Sequence, residues 1–167
     1  QGVINEDLDE ESYAIDTLVL MPGNSPTLAL FGNTWKSIQI DPFMPDSATV
    51  LQVFARIDSI SEIQAIGFST GENTIRYSLS GHETLDIEEW IPVYQGTNQV
   101  GYWQSYRLPL GNDWLAWFDS LSSITEIHFI NDQDDTSRAP GSIHFSMIRD
   151  YTTDLPIPPV VSIDYSM

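Results

Sequence analysis

The chain contains no cysteine among its 167 residues, so disulfides, zinc ribbons, iron–sulfur clusters and cysteine nucleophiles are excluded. Basic residues are also scarce: six Lys and Arg stand against 24 Asp and Glu, which gives a net charge of -18. Nucleic-acid affinity depends on neutralising phosphates, and an anionic membrane repels an acidic surface. We therefore expect neither nucleic acid nor a membrane as a partner. The same charge disfavours acidic polysaccharides unless a cation mediates, and it favours a neutral or weakly charged ligand.

Long apolar runs are missing as well. LVLM at residues 18–21 is too short to cross a bilayer, and the first residues lack the basic segment and cleavage site of a signal peptide. Hydrophobic residues nevertheless make up 41% of the chain and aromatic residues 11%, which excludes a disordered acidic tail. A domain of this length buries roughly 70% of the surface of its unfolded chain, enough for one hydrophobic core.

Composition divides the chain into three parts. Residues 1–12 are acidic and poor in apolar side chains, which predicts a disordered linker. DLPIPP at residues 154–159 is typical of a semi-rigid proline-rich linker, and VVSIDYSM after it has the pattern of a first strand in a further module. The folded module is therefore expected over residues 13–153, as a monomer within a multidomain chain.

Alternating apolar and polar residues predict strands through most of that module. The segments are 27–31, 34–40, 49–57, 62–69, 74–79, 102–110, 124–130 and 142–148. Gly32-Asn33 is expected to form a hairpin turn between the first two. Residues 112–121 have a helical pattern, with Asn112 or Asp113 as the N-cap. About eight short strands and one short helix predict an all-β fold, an antiparallel jelly-roll β-sandwich.

Two patterns resemble catalytic motifs. Residues 67–71 read G-x-S-x-G, but a nucleophile elbow needs a helix after it, and here another β-patterned segment follows. A hairpin loop is the preferred interpretation. Glu88 and Glu89 are adjacent and point to opposite sides of an extended segment, so they do not form an acid–nucleophile pair. We expect no catalytic residues.

The acidic loop NDQDD concentrates oxygen ligands of the kind that calcium prefers, at Asp132, Asp134 and Asp135. A second candidate pairs Asp150, after the last strand, with Asp16 in the first. Calcium in either place is expected to be structural. The alternative for the loop is a solvated acidic turn.

Aromatic residues provide the candidate ligand site. Sugars present flat C–H faces to aromatic rings, and their hydroxyls need polar partners beside the ring. The alternation places Trp103 on the face opposite the apolar residues of its strand, and Arg76 and His128 are outward in the same sense. Trp90 and Tyr94 lie in a long loop, and Gln95 and Gln104 are candidate donors near the aromatic rings. For each ring alone, ordinary packing is the alternative.

Five segments together resemble a known family: NTWKSIQID, ATVLQVFARIDSISEIQAIGFST, GYWQSYRLPL, EIHFINDQDD and SIHFSMIRD. They are similar to jelly-roll carbohydrate-binding modules of the galactose-binding-like fold, which are attached to secreted bacterial enzymes. The similarity covers residues 27–150. It implies a secreted or cell-surface module without catalytic activity that tethers a larger protein to polysaccharide, often with a structural calcium ion.

The resemblance also implies two sites for sugar, the end loops with Trp90 and Tyr94, or a sheet face with Trp103, Arg76 and His128. Ser146 stands where related modules often carry an Asp near calcium, which leaves Asp150 as the substitute. Two other functions stay open. One is a calcium-stabilised structural or adhesion spacer, and the other is a polysaccharide lyase or hydrolase using Arg76, His128 and Tyr77.

Overall fold

The computed structural model describes residues 3–5, 13–21, 25–83, 90–91 and 98–152. Within them lie one helix, α1 (Leu110–Phe118), and eleven strands: β1 (Val3–Asn5), β2 (Tyr13–Met21), β3 (Ser25–Phe31), β4 (Thr34–Phe43), β5 (Leu51–Ser59), β6 (Ile63–Ser69), β7 (Thr74–Ser80), β8 (Trp90–Ile91), β9 (Trp103–Leu108), β10 (Ile124–Asp132) and β11 (Ser142–Asp150). No helix in these ranges has the length and hydropathy to cross a membrane.

The strands form two sheets with jelly-roll connectivity. The first sheet has the order β1-β4-β10-β6-β7-β8, and the second has the order β2-β3-β11-β5-β9. From β3 to β11 the chain passes repeatedly between the sheets, so that β10 lies between β4 and β6 while β11 lies between β3 and β5. All strand pairs are antiparallel except β7 with β8. The predicted all-β sandwich is confirmed.

The core lies between the sheets and follows the predicted alternation. Val53, Ala55 and Ile57 of β5 are fully buried, as are Ile75 and Leu79 of β7. Because successive side chains in a strand point to opposite faces, the residues between them project from the outer faces of the sandwich. These outer faces carry the candidate ligand residues.

Asn131 at the end of β10 joins four parts of the chain beneath the acidic loop. Its side-chain oxygen accepts hydrogen bonds from Ser61 Oγ and Gln64 Nε2, both at 2.8 Å. Its amide nitrogen donates to the carbonyl oxygens of Gly32 at 2.6 Å and Gly141 at 3.2 Å. The residue is fully buried, and its four bonds use the donor and acceptor capacity of the amide.

The expected hairpin at Gly32-Asn33 is wrong. β3 and β4 belong to different sheets, so Gly32, with a φ of 63°, carries the chain from one sheet to the other. The Gly32 N–H donates to the Gly141 carbonyl at 3.1 Å, and its own carbonyl accepts from Asn131. These contacts, distant in sequence, fix the crossing.

Helix α1 begins earlier than predicted and without a side-chain cap. Pro109 is the N-cap residue, and the Asp113 carboxylate accepts a hydrogen bond from the buried Tyr77 hydroxyl at 3.0 Å. Burial raises the pKa of Asp113 above its ordinary value, and the hydrogen bond from Tyr77 offsets only part of this rise. Gly111 packs directly on the backbone carbonyl of Asp46, where a Cβ atom would lie 1.8 Å from the oxygen. Close backbone contact therefore positions the start of α1.

The expected linker over residues 1–12 includes strand β1, which pairs with the edge of β4 through contacts such as Ile4 with Ser37. Val3–Asn5 is therefore a strand within that segment.

Candidate functional site

The outer face of the second sheet gathers arginine, aromatic and amide side chains in register. Arg56 of β5 lies opposite Trp103 of β9 on one side and His144 of β11 on the other. Phe54 lies opposite Ser105, and Gln52 lies between Arg107 and Arg149. We call this surface the arginine face: Gln52, Phe54, Arg56, Trp103, Ser105, Arg107, His144 and Arg149, with Tyr151 just beyond β11.

Trp103 presents ring carbons rather than its polar edge to solvent. The side chain is partly buried, and its indole N–H is fully buried with no acceptor among the described residues. The accessible part of the indole is therefore apolar. Such a surface on an edge strand suits contact with another flat apolar surface.

A hydrogen-bonded chain crosses the arginine face over three strands. Arg149 Nε donates to Gln52 Oε1 at 2.6 Å, and Gln52 Nε2 donates to Ser105 Oγ at 2.6 Å. The Arg149 guanidinium also lies 5.7 Å from the ring centroid of Phe54 and 5.8 Å from that of Tyr151. These contacts hold the exposed Arg149 guanidinium in one position on the sheet.

The other two arginines of the face have partners of different kinds. Arg107 stacks over the Tyr151 ring at 4.3 Å and donates to the Tyr151 hydroxyl at 3.0 Å. Arg56 makes a 2.7 Å ion pair with Asp58, whose other carboxylate oxygen lies 3.1 Å from His144 Nε2. The face thus holds three of the six basic residues of the chain, and one of them, Arg56, pairs with Asp58.

Arg76 and His128 lie on the opposite side of the molecule, on the outer face of the first sheet. A row of paired residues crosses that face, namely Ser37, His128, Gly67, Arg76 and Trp90. A Cβ atom at Gly67 would lie 3.2 Å from both Arg76 Cγ and His128 Cβ, so the glycine leaves a narrow gap between them. The structure therefore brings Arg76 and His128 together but separates both from Trp103.

His128 is tied to its own strand. Its Nε2 lies 3.2 Å from Glu126 Oε2, and Gln39 donates a hydrogen bond to the other oxygen of that carboxylate. The bond from Gln39 and the contact with His128 hold the pKa of Glu126 below its ordinary value. Because His128 is also buried, it has little surface for a ligand.

The remaining candidate ligand residues fall in three situations. The backbone of Trp90 pairs with Arg76 in β8, and its side chain lies outside the described residues. Tyr94 and Gln95 also lie outside them. Gln104 lies between Trp103 and Ser105 in β9, so its side chain points away from the arginine face. There its Oε1 accepts hydrogen bonds from the Gln99 N–H at 3.2 Å and from the Tyr106 hydroxyl at 3.1 Å.

The acidic loop is held by hydrogen bonds to Trp35 of β4 and to Glu62, which precedes β6. Asp132 accepts from Trp35 Nε1 at 3.1 Å, and the backbone N–H groups of Asp134 and Asp135 donate to Glu62 Oε2 at 2.8 and 3.2 Å. Burial raises the pKa of Asp132, and nearby carboxylates, including Asp134 and Glu62, raise it further.

The other two candidate calcium ligands, Asp135 in the loop and Asp150 at the far end of β11, are engaged locally. Asp135 accepts from Ser137 and pairs with Arg138 at 3.2 Å, and Asp150 accepts from the Thr152 N–H at 2.8 Å. The side chain of Asp16 is outside the described part of the chain. Within that part, no three His, Asp or Glu side chains form a group able to hold a metal ion. Calcium binding stays a prediction.

One opening between the sheets has a volume of about 160 Å³. Its walls are apolar side chains such as Ile40, Phe43 and Ile148, with Arg149 and Asp150 also at its lining. The scarcity of polar partners makes it unsuited to a ligand with many hydroxyl groups.

Several residues of the arginine face were missed by sequence reasoning. The phase of β5 carries the signal for Phe54 and Arg56, since both alternate with the buried residues of that strand. Arg149 gives no such signal, because a bulge between Phe145 and Ile148 shifts the alternation of β11 by one residue.

Comparison with known proteins gives one partial similarity. No family model matches the chain, and no solved structure matches it. A segment of 71 residues is 34% identical to a 2,3-dihydroxyphenylpropionate/2,3-dihydroxicinnamic acid 1,2-dioxygenase of Klebsiella pneumoniae subsp. pneumoniae. The match covers 41% of this chain and spans only 21% of the length of that enzyme. A similarity over a fifth of the enzyme does not assign the chain to its family.

Proposed function

We propose that the chain is a non-catalytic carbohydrate-binding module whose ligand lies across the arginine face. The observation that carries this proposal is the position of Trp103, with an accessible apolar ring in one row with Arg56 and next to Ser105. A pyranose ring packs its C–H face on such an indole while neighbouring side chains exchange hydrogen bonds with its hydroxyls.

The shape of the face supports an extended ligand. From the row of Trp103 to the row of Arg149 is four residues along the strands and two strands across, roughly 16 Å for ordinary strand spacings. An oligosaccharide segment spans this distance, whereas one sugar does not. Phe54 lies between the two rows and extends the apolar surface.

The polar groups that resemble catalytic sets are inaccessible, which supports a binding role. Thr27 Oγ1 lies 3.3 Å from His144 Nδ1, and His144 contacts Asp58, as in a nucleophile–base–acid set. Thr27 and His144, however, are only 1% and 3% exposed. Ser69 of the G-x-S-x-G segment is buried in the β6–β7 hairpin, where its hydroxyl accepts from the Gly71 N–H at 2.9 Å.

The module is proposed to tether a larger extracellular protein to polysaccharide with micromolar to millimolar affinity, about -8 to -4 kcal/mol. The test is affinity gel electrophoresis of the purified chain against a panel of neutral and acidic polysaccharides. Trp103→Ala is expected to weaken the affinity derived from the retardation about 10-fold, equivalent to about 1.4 kcal/mol of binding free energy.

Trp117→Ala is the matched control, because this tryptophan is 43% exposed on helix α1 and is not part of the arginine face. His128→Ala reports on the first sheet. Equal binding by the Trp103→Ala protein and the parent would contradict the site. Absence of binding to every polysaccharide, together with a calcium-dependent rise in melting temperature, would favour the structural spacer.

A further inference from the structure

The charge distribution on the arginine face is opposite in sign to that of the whole chain. Arg56, Arg107 and Arg149 are half of the basic residues in a chain of net charge -18. Two acidic side chains next to these arginines are engaged, since Asp58 pairs with Arg56, and Asp150, which follows Arg149 in the sequence, accepts from the Thr152 N–H. A ligand on this face is therefore close to positively charged guanidinium groups.

Arg149 is the cation best arranged to take an anionic ligand group. Its Nε is held by Gln52, and the rings of Phe54 and Tyr151 lie close to its guanidinium. Among the residues that the structure describes, no carboxylate forms an ion pair with it, and the residue is exposed. A guanidinium fixed in this way binds a planar carboxylate through two parallel hydrogen bonds with little further loss of entropy.

The negative charge of the rest of the molecule does not prevent such a contact. At physiological ionic strength the Debye length is about 8 Å, so exposed carboxylates farther away are largely screened. A pair in direct contact at about 4 Å is screened much less. For a ligand in direct contact with this face, the local arrangement of charges therefore matters more than the net charge of the chain.

We propose that the polysaccharide bound on the arginine face is a polyuronate, and that the Arg149 guanidinium pairs with the carboxylate of a sugar packed on Phe54. This inference rests on the proposed function and specifies its ligand. It replaces the neutral glycan expected from the net charge with an acidic one.

The test compares each polyuronate with its own methyl ester, so that only the carboxylate charge changes. Polygalacturonate, alginate and a glucuronate polymer are used with the purified chain. We expect at least one free acid to bind about 10-fold more tightly than its ester, and we expect this preference to fall as sodium chloride is raised from 50 to 500 mM.

Arg149→Gln is expected to abolish the preference, so that the free acid and its methyl ester bind to this variant with equal affinity. Arg149→Lys keeps the charge but loses the planar fork, and is expected to be intermediate. Arg138→Gln is the matched control, because Arg138 is exposed, lies outside the arginine face and pairs with Asp135 of the acidic loop. Thermal melting of each variant establishes that it is folded.

The outcomes separate this inference from the proposed function. Binding of neutral glycans or esters that equals or exceeds binding of the free acids overturns the polyuronate inference alone. An equal fold-loss of affinity for the acid and for the ester in Arg149→Gln, which leaves the preference for the acid intact, also overturns it. In that case the side chain acts only by packing. Failure to bind any glycan overturns both proposals.

Discussion

Replacing Asn131 by Asp tests whether the buried amide joins the sheets as the structure indicates. The substitution keeps the size of the side chain and its two accepted hydrogen bonds, from Ser61 and Gln64. It removes the two donated bonds, so a carboxylate oxygen faces the carbonyls of Gly32 and Gly141. Two net hydrogen bonds, together with two buried carbonyls left without that donor, amount to roughly 3–5 kcal/mol of lost stability.

The effect also has a predicted pH dependence. Burial beside two carbonyl oxygens raises the folded-state pKa of the new carboxyl above its unfolded value of about 3.9. The folded state then binds the proton more tightly than the unfolded state does, so the destabilisation is full above the folded-state pKa. It diminishes as pH falls toward the unfolded value.

Urea unfolding followed by tryptophan fluorescence at pH 7 and pH 4.5 measures both predictions. Asn73→Asp is the matched control, because it adds the same charge at a half-buried turn residue whose side chain has no hydrogen-bond partner among the described residues. A loss at pH 7 below about 1 kcal/mol, or one equal to that of the control, would refute the reasoning.

Two further stability predictions follow from close contacts. Gly111→Ala places a Cβ atom 1.8 Å from the Asp46 carbonyl oxygen, so α1 or the preceding loop has to move, and we expect about 2–3 kcal/mol of destabilisation in urea unfolding. Asn112→Ala, exposed on the same helix, is the control, and equal losses would contradict the contact. Asp132→Asn is expected to raise the melting temperature at pH 7. Because the pKa of Asp132 is raised in the folded state, its ionised carboxyl destabilises the fold above that pKa. The gain in melting temperature should therefore fade as pH falls toward 3.8, the ordinary pKa of an aspartate. If Asp132 binds calcium, 1 mM calcium should raise the melting temperature of the parent but not of this variant; identical curves with calcium and with chelator would contradict the metal prediction.

The sequence was sufficient for the class of fold and for strands β3–β7 and β9–β11, but β1, β2 and β8 were not predicted. In β7, for example, the alternation that buries Ile75 and Leu79 and turns Arg76 outward is a local property of the residues. The sequence was insufficient to predict to which of the two sheets a strand belongs. Gly32-Asn33 suits a tight hairpin as well as a crossing between sheets, and the choice depends on Asn131 and Gly141, about 100 residues away.

The same limit applies to the candidate site. Alternation turns Trp103, Arg76 and His128 away from the core, but a sandwich has two outer faces and alternation does not distinguish them. Only the strand order separates Trp103 from the other two residues. The bulge in β11 likewise hides Arg149, because a shifted phase is decided by pairing with β5 rather than by the residues themselves.

The central positions of β10 and β11 have a consequence for the newly made chain. Until these two strands emerge from the ribosome, β4 and β6 lack the strand that lies between them, and so do β3 and β5. Each half-sheet then exposes an open edge, a template for pairing with another molecule. Joining the halves closes large loops and requires β10 and β11, so we expect folding in milliseconds to seconds rather than microseconds. Aggregation is the competing process during that interval.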